Sequence, residues 1–322
     1  MTGAQPSTAS DSIPDPREIE ATDARASFFM KEGIRLMQSD DDVDAALRCF
    51  DHARELRRRL PMEAPMHAYG LAACWLNRAE ALTRLGSAHH APALDAYDEA
   101  LALLRPLRLG DDARFSRRLA LAHQNRALVL AALNAPATTD AVAGLVAAIA
   151  VLDSAKEMEA PERDYLLAVV WMNLANVQVS EDTIVSDFAA QNAARRALAL
   201  VKVREHEDAA AAEAGLKARH VLCRIAARRL SARVRSETVM ADVHEATDLA
   251  DEGLALVCEW ERRGVDRFRN SASDLFRFGA RVYAHYQPHF LHEFISEQLD
   301  SQQSSHSYVQ SLEMRDVARE SV

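Results

Sequence analysis

Three asparagines stand 48 residues apart, each two residues ahead of a small residue. The segments are Trp75-Leu76-Asn77-Arg78-Ala79, His123-Gln124-Asn125-Arg126-Ala127 and Trp171-Met172-Asn173-Leu174-Ala175. The whole chain has only seven asparagines, so a shared register for three of them is not an effect of composition. A carboxamide carries a donor and an acceptor, the pair needed to hydrogen-bond the backbone of an extended peptide. The same groups can instead bond between neighbouring helices and fix their stacking, and spacing alone leaves both readings open. His285, His289 and His292 share a face at helical spacing and invite a metal reading. Pro288 interrupts that helix, however, and the neighbours Tyr283, Tyr286, Phe290 and Phe294 point to a packed end instead. His89 and His90 fall in a turn and read as solvated. The chain has no GxSxG, no phosphate loop and no HExxH. Acidic residues such as Asp95, Asp98 and Glu99 spread over a helix surface without a distinguishable catalytic pair. The expectation is a non-enzyme that needs no metal or cofactor.

Bulk properties narrow the partners. The formal net charge is −10, and a protein built to grip phosphates is usually basic, so nucleic acid is not the expected partner. The basic runs at Arg57-Arg58-Arg59, Arg117-Arg118, Arg228-Arg229 and Arg262-Arg263 read as solvated faces or as charges at helix C-termini. Cys49, Cys74, Cys223 and Cys258 are far apart and form no CxxC, which suits free thiols in a reducing cytoplasm. The N-terminus lacks a basic and apolar leader, and no stretch of 18 apolar residues is free of charge. Neither secretion nor membrane insertion is expected.

The elements that position these residues are helices. Of the 322 residues 49% are hydrophobic, alanine supplies much of that, and only 6% are aromatic. Alanine-rich, β-branch-poor sequence favours helix, and almost all ten prolines fall between periodic segments. The pattern predicts helix pairs at about 22–38 with 43–60, 66–86 with 91–105, 112–134 with 139–157, 162–180 with 184–203, and 208–233 with 238–262. A further helix is predicted at about 271–286. Gly86 is a stop signal, and Pro92 suits a first turn. Residues 1–20 read as a disordered leader and 300–322 as a polar, largely flexible tail. Residues 270–299 concentrate aromatics and are expected to cap the array, because a terminal repeat has no next neighbour.

The second helices share one register. Ala53, Ala100, Ala148, Ala197 and Gly253 follow one another at steps of 47, 48, 49 and 56 residues. Seven residues earlier stand Ala46, Ala93, Ala141, Ala190 and Ala246, and three residues earlier Phe50, Tyr97, Leu145, Ala194 and Ala250. A period of this length is the signature of a helical repeat array. Ala46-x3-Phe50-x2-Ala53 and Ala93-x3-Tyr97-x2-Ala100 resemble the second helix of a tetratricopeptide repeat. Phe29-x3-Gly33-x2-Leu36, Trp75-x3-Ala79-x2-Leu82 and Trp171-x3-Ala175-x2-Gln178 resemble its first helix. In the third unit His123 replaces the bulky residue, and in the fifth Ala226 is the nearest match to the small anchor. The family repeat has 34 residues and this one about 48, so its helices are longer and any solenoid wider.

The resemblance implies an all-α, right-handed superhelix of five to six antiparallel helix pairs across residues 21–299. It also implies that the first helix of each pair lines a concave face. The residue two before the small anchor, which often meets a bound peptide in that family, is Lys31, Asn77, Asn125, Asn173 or Arg224 here. Lys31 and Arg224 would make the ends of such a groove positive, as in members that clamp an acidic C-terminus, although the full clamp set is not matched. The expected function is a cytoplasmic scaffold or adaptor holding an extended peptide or protein segment. One alternative is a structural subunit that self-assembles or joins a larger complex through helix faces and the aromatic C-terminal region. Another is a regulatory helical domain acting on a separate effector protein.

Overall fold

The computed structural model describes residues 15–40, 42–108, 110, 112–133, 138–179, 184–231 and 237–286. The fold is all-α, with eleven α-helices and no strand among the described residues. They are α1 (Pro16–Arg35), α2 (Val43–Arg57), α3 (Pro65–Arg84), α4 (His90–Leu104), α5 (Ala113–Ala132), α6 (Thr138–Ser154), α7 (Ala160–Val179), α8 (Ile184–Val201), α9 (Ala209–Ser231), α10 (Glu237–Arg262) and α11 (Arg269–Tyr286). The predicted metal-like histidines His289 and His292, the end of the expected cap and the polar tail lie outside the described residues.

Local chemistry sets the helix ends. Asp42 accepts a hydrogen bond from the Ala45 amide at 2.9 Å, and Asp208 accepts one from the Ala210 amide at 2.8 Å, each capping a helix start. Gly86 stops α3 with φ of 99°, which side chains rarely adopt. One boundary differs from the sequence expectation. α1 begins at Pro16, inside the stretch read as a disordered leader, because Asp15 accepts from the Arg17 amide at 3.0 Å and Pro16 occupies the first turn. The low apolar content of this stretch hid a helix start that capping alone defines.

Contacts divide the chain into two units, one of Met1–Leu109 with Leu121–Leu133 and one of Gly110–Ala120 with Asn134–Val322. In the first unit α1 packs on α2, α2 on α3 and α3 on α4. In the second, every helix from α6 to α11 packs on the next, and α9 also touches α7 and α11. Odd helices thus stack on odd helices in the second unit, the arrangement of a helical repeat. α7 shows the consequence for composition. It carries buried residues on all sides, among them Leu167, Val170, Met172, Leu174 and Val177, because α6, α8 and α9 surround it.

The small-residue register is the core of each pair. Ala53, Ala100, Ala148 and Ala197 are fully buried, as are Ala46, Ala93, Ala141 and Ala190. Phe50, Tyr97, Leu145, Ala194 and Ala250 are at most 2% exposed, so the same three positions face inward in every pair. Gly253 shows why the anchor must be small. A Cβ added there would lie 2.5 Å from Leu275 of α11 and 3.2 Å from Arg219 of α9. Gly33 of α1 is constrained in the same way, with an added Cβ 2.5 Å from the Phe50 ring. α11 closes the second unit by burying Leu275, Phe276 and Phe278 with Ala246, Ala250, Leu254 and Val257 of α10.

The arginine run at 57–59 departs from its solvated reading. Arg57 is buried at the position where the later pairs place Leu104, Leu152, Val201 and Val257. Its Nη1 donates to the Gly70 carbonyl at 2.6 Å, its Nη2 donates to Ser27 Oγ at 3.1 Å, and Asp23 lies 3.3 Å from its Nε. Gly70 leaves the room for this, since a Cβ there would fall 2.7 Å from Nη1. The run also contains a solvated face, because Arg58 and Arg59 are exposed.

Gly253→Val is expected to destabilise the protein by about 1–3 kcal/mol, the usual cost of overpacking a core. Ala150→Leu, on an exposed position of α6, is expected to leave the chemical denaturation midpoint almost unchanged. Equal effects of the two would contradict a sterically fixed anchor. Removing α11 by truncation after Arg269 is expected to uncover the apolar residues of α9 and α10 and to produce aggregates on size-exclusion chromatography. A monomeric truncated chain with an unchanged melting temperature would show that α11 seals nothing.

Candidate functional site

The five residues singled out by sequence occupy equivalent positions on successive odd helices. Lys31 is on α1, Asn77 on α3 and Asn125 on α5, all in the first unit. Asn173 on α7 and Arg224 on α9 belong to the second. Lys31 and Arg224 are exposed and the three asparagines half-buried.

The three amides are not chemically equivalent. Asn77 Nδ2 donates to the Ala73 carbonyl of its own helix at 2.9 Å. Asn125 bonds the hydroxyl of Tyr97, the bulky residue of the α4 register, and Thr83 of α3 bonds the same hydroxyl. Burial pushes that phenol up to about 12, so it stays neutral throughout the physiological range. Asn125 therefore ties α5 to α4 through Tyr97. Asn173 has no such bond among the described residues. One of the three thus acts as an inter-helix contact, one bonds its own helix, and one keeps its amide for another partner.

His123 stands where the second and fourth units carry Trp75 and Trp171. Burial holds its imidazole below the usual histidine range, and the nearby Arg105 and Arg126 act in the same direction. The two tryptophans each meet arginines. Arg54 lies 4.6 Å from the Trp75 ring centroid and Arg78 5.8 Å, with Arg78 also bound to Asp51 at 3.0 Å. Arg196 lies 4.7 Å from the Trp171 ring centroid.

Trp171 also begins an open groove of about 640 Å³ between α7 and α8. Leu174 and Gln178 continue the α7 wall, and Asn192, Ala193 and Arg196 form much of the α8 wall. Asn173 faces elsewhere and does not line it. The sequence did carry a signal for this groove. In Trp171-x3-Ala175-x2-Gln178 the last place, held by Leu36 and Leu82 in the first two units, is a polar glutamine.

A second polar cluster is buried. Arg219, 1% exposed, forms a bidentate pair with Glu205 at 2.7 and 2.8 Å and reaches Glu252 at 3.2 Å. Trp260 Nε1 donates to the Glu205 carbonyl at 2.8 Å. Gly215 accommodates the pair, since a Cβ there would lie 2.7 Å from Glu205 Oε2. Lys202 holds the Glu252 carboxyl below its usual range, with help from Arg219. These groups face one another inside the second unit, so they lock α9, α10 and the turn after α8 together. The Arg228-Arg229 run belongs to the same kind of internal pairing rather than to a solvated face. Arg228 pairs with Asp187 and Arg229 with Asp242.

Among the described residues no group of three His, Cys, Asp or Glu side chains is placed to hold a metal ion. No helix among them is long and apolar enough to cross a membrane. All four cysteines are free, and burial pushes the Cys223 thiol well above its ordinary value.

The pH response of His123 has a definite sign. Its folded pKa is depressed, so the unfolded chain takes up the proton first as pH falls through about 6.5, and stability drops there. His220, lowered chiefly by burial, contributes in the same direction. His123→Phe restores the bulky apolar residue and removes one titrating group. The variant is expected to melt higher than wild type, and the gap between the two melting temperatures is expected to widen from pH 7.5 to 5.5. A constant gap would show that His123 is freely protonated in the folded protein.

No family model and no curated protein matches this sequence. Solved structures do. The chain is similar to a structure of the S. pombe nuclear import adaptor Nro1, with a TM-score of 0.54 and 13% identity over 94% of this chain and 100% of that one. A second structure of Nro1, described as a hypoxic regulator of sterol synthesis that is a nuclear import adaptor, gives a TM-score of 0.52 at 13% identity, covering 95% and 98%. At this identity the likeness is one of fold: an all-α arrangement of helix pairs extending over nearly the whole chain.

Proposed function

We propose that this chain is a non-catalytic adaptor that holds an extended segment of another protein against its odd-numbered helices, as tetratricopeptide-like repeats do. The observation that carries the reading is the conserved placement of one polar or charged residue per odd helix, two before the small anchor. In the first unit Lys31, Asn77 and Asn125 present it, and in the second Asn173 and Arg224 do. Asn77 spends its Nδ2 donor on its own helix but keeps its carbonyl oxygen. The half-buried Asn173 amide keeps both groups, and Lys31 and Arg224 are exposed cations. These leftovers can pair with backbone amides and carboxylates of a bound segment. The similarity in fold to a protein described as a nuclear import adaptor supports a role of joining proteins, for which the cytoplasm is the expected compartment.

A second reading has its own observation. The Asn125–Tyr97 bond shows that at least one rung of the asparagine series serves stacking, as it would in a structural subunit. Single substitutions separate the two. Asn125→Ala is expected to cost about 1 kcal/mol of stability, the typical worth of a lost hydrogen bond. Asn173→Ala is expected to leave the melting temperature unchanged while weakening capture of the partner from native lysate. If Asn173→Ala, Lys31→Ala and Arg224→Ala all retain full capture, the peptide-holding reading fails and the structural one stands.

A further inference from the structure

The groove between α7 and α8 holds two unpaired polar groups of opposite kind. Arg196 stacks on Trp171 and has no carboxylate partner among the described residues, whereas its neighbours do. Arg195 pairs with Glu245, Arg228 with Asp187 and Arg229 with Asp242. The missing counter-ion is notable in a chain with a net charge of −10, where acidic side chains outnumber basic ones. The second group is Gln178 Oε1, a buried acceptor with no hydrogen-bond partner among the described residues. An orphan of this kind costs about 1–3 kcal/mol unless something supplies a donor. Between the two lies an apolar floor of Leu174 and Ala193, in a groove within the size range of small ligand sites.

We infer that this groove binds an acidic, apolar segment of a partner protein. A carboxylate of the segment pairs with the Arg196 guanidinium, which Trp171 holds in place from behind. An adjacent leucine-like side chain covers Leu174 and Ala193, and a backbone N–H donates to Gln178 Oε1. Each element of the occupant answers one feature of the groove: charge for Arg196, area for the floor, a donor for Gln178. The inference rests on the adaptor reading and gives it a partner chemistry, but it uses residues separate from the asparagine series.

The test is selection from a random peptide display library on the full-length chain, with the Arg196→Ala chain as counter-selection. Enriched peptides are expected to place Asp or Glu beside a bulky aliphatic residue. The consensus peptide, synthesised and titrated by calorimetry, is expected to bind Arg196→Ala roughly tenfold or more weakly, as for loss of a charge-assisted bond. It is also expected to weaken with added salt. Gln178→Leu gives a signature that a merely structural residue would not. It is expected to raise the melting temperature by removing a buried orphan acceptor, yet to weaken the peptide. Enriched peptides without acidic residues, equal binding to Arg196→Ala, or no enrichment at all would each overturn the inference. So would Arg196-dependent binding of ATP in place of any peptide. If the selection fails while Asn173→Ala still loses the lysate partner, only the groove assignment falls. If the selection succeeds while the Lys31, Asn173 and Arg224 variants keep full capture, the odd-helix reading falls and the groove stands.

Discussion

Two helices can lie close along their length only if the residues between them are small. That constraint runs through this protein at a fixed place, the fourth turn-facing position of every second helix, where Ala53, Ala100, Ala148, Ala197 and Gly253 sit. The inward residue three positions earlier is large where the facing helix yields room and small where it does not. Phe50 fits because Gly33 has no side chain. Ala194 and Ala250 are small in the units where neighbouring helices bring their own bulk, such as Leu275 against Gly253. The pairs are therefore volume-matched, and the sequence of one second helix makes sense only with the first helices beside it. Interiors packed to this density tolerate little change in volume at a single site.

Charge is arranged around this apolar frame by internal pairing. Arg57, Arg219, Arg228 and Arg229 all pair with carboxylates, and the two most buried are also accommodated by glycines, Gly70 and Gly215. A buried guanidinium is tolerable only with several acceptors around it, and a hydrophobic residue is often as stable in its place. The later pairs illustrate the point, with leucine or valine at the Arg57 position. What the arginines add is direction: a fork of donors fixes the angle between the elements it bridges, which apolar contact alone leaves looser. Arg57 does this for α1, α2 and α3, and Arg219 for α9, α10 and the turn after α8.

The fold was readable because its determinant is a periodic spacing of residue types. Steps of 47, 48 and 49 between alanines expose a repeat without any knowledge of contacts, and the helix pairs fall within a few residues of the predicted ranges. The fate of individual polar groups was not readable in the same way. Asn77, Asn125 and Asn173 are indistinguishable by register. Yet one bonds its own helix, one bonds Tyr97, and one is left over, because that depends on which side chain the neighbouring helix offers. Arg57 looked like one of three surface arginines because nothing local marks it as the inward member. Its partners are Asp23, Ser27 and Gly70, up to 34 residues away. The α1 start was missed for the opposite reason: it depends on a local cap at Asp15 in a segment too polar to show a helical period.

A repeat protein binds with what stacking leaves unused, and this gives the polar census its meaning. Side chains that close hydrogen bonds between helices are spent, since a ligand would have to repay the bond it displaces. Asn125, Arg219 and Arg229 are in that class. Groups that remain open are free to confer affinity at no cost to the fold, and a buried open group adds a driving force of its own. Gln178 is such a group: its oxygen is already desolvated without a partner, so the penalty has been met in folding and a donor arriving with a ligand recovers it. Arg196 on Trp171 is similar in kind, a cation whose position is already fixed by the ring beneath it, so less side-chain freedom is lost when a carboxylate arrives. Preorganisation of this sort separates a surface that binds from one that is merely polar. It locates the strongest binding potential of the second unit on the side of α7 where the repeat pattern breaks, rather than on the side where it is kept.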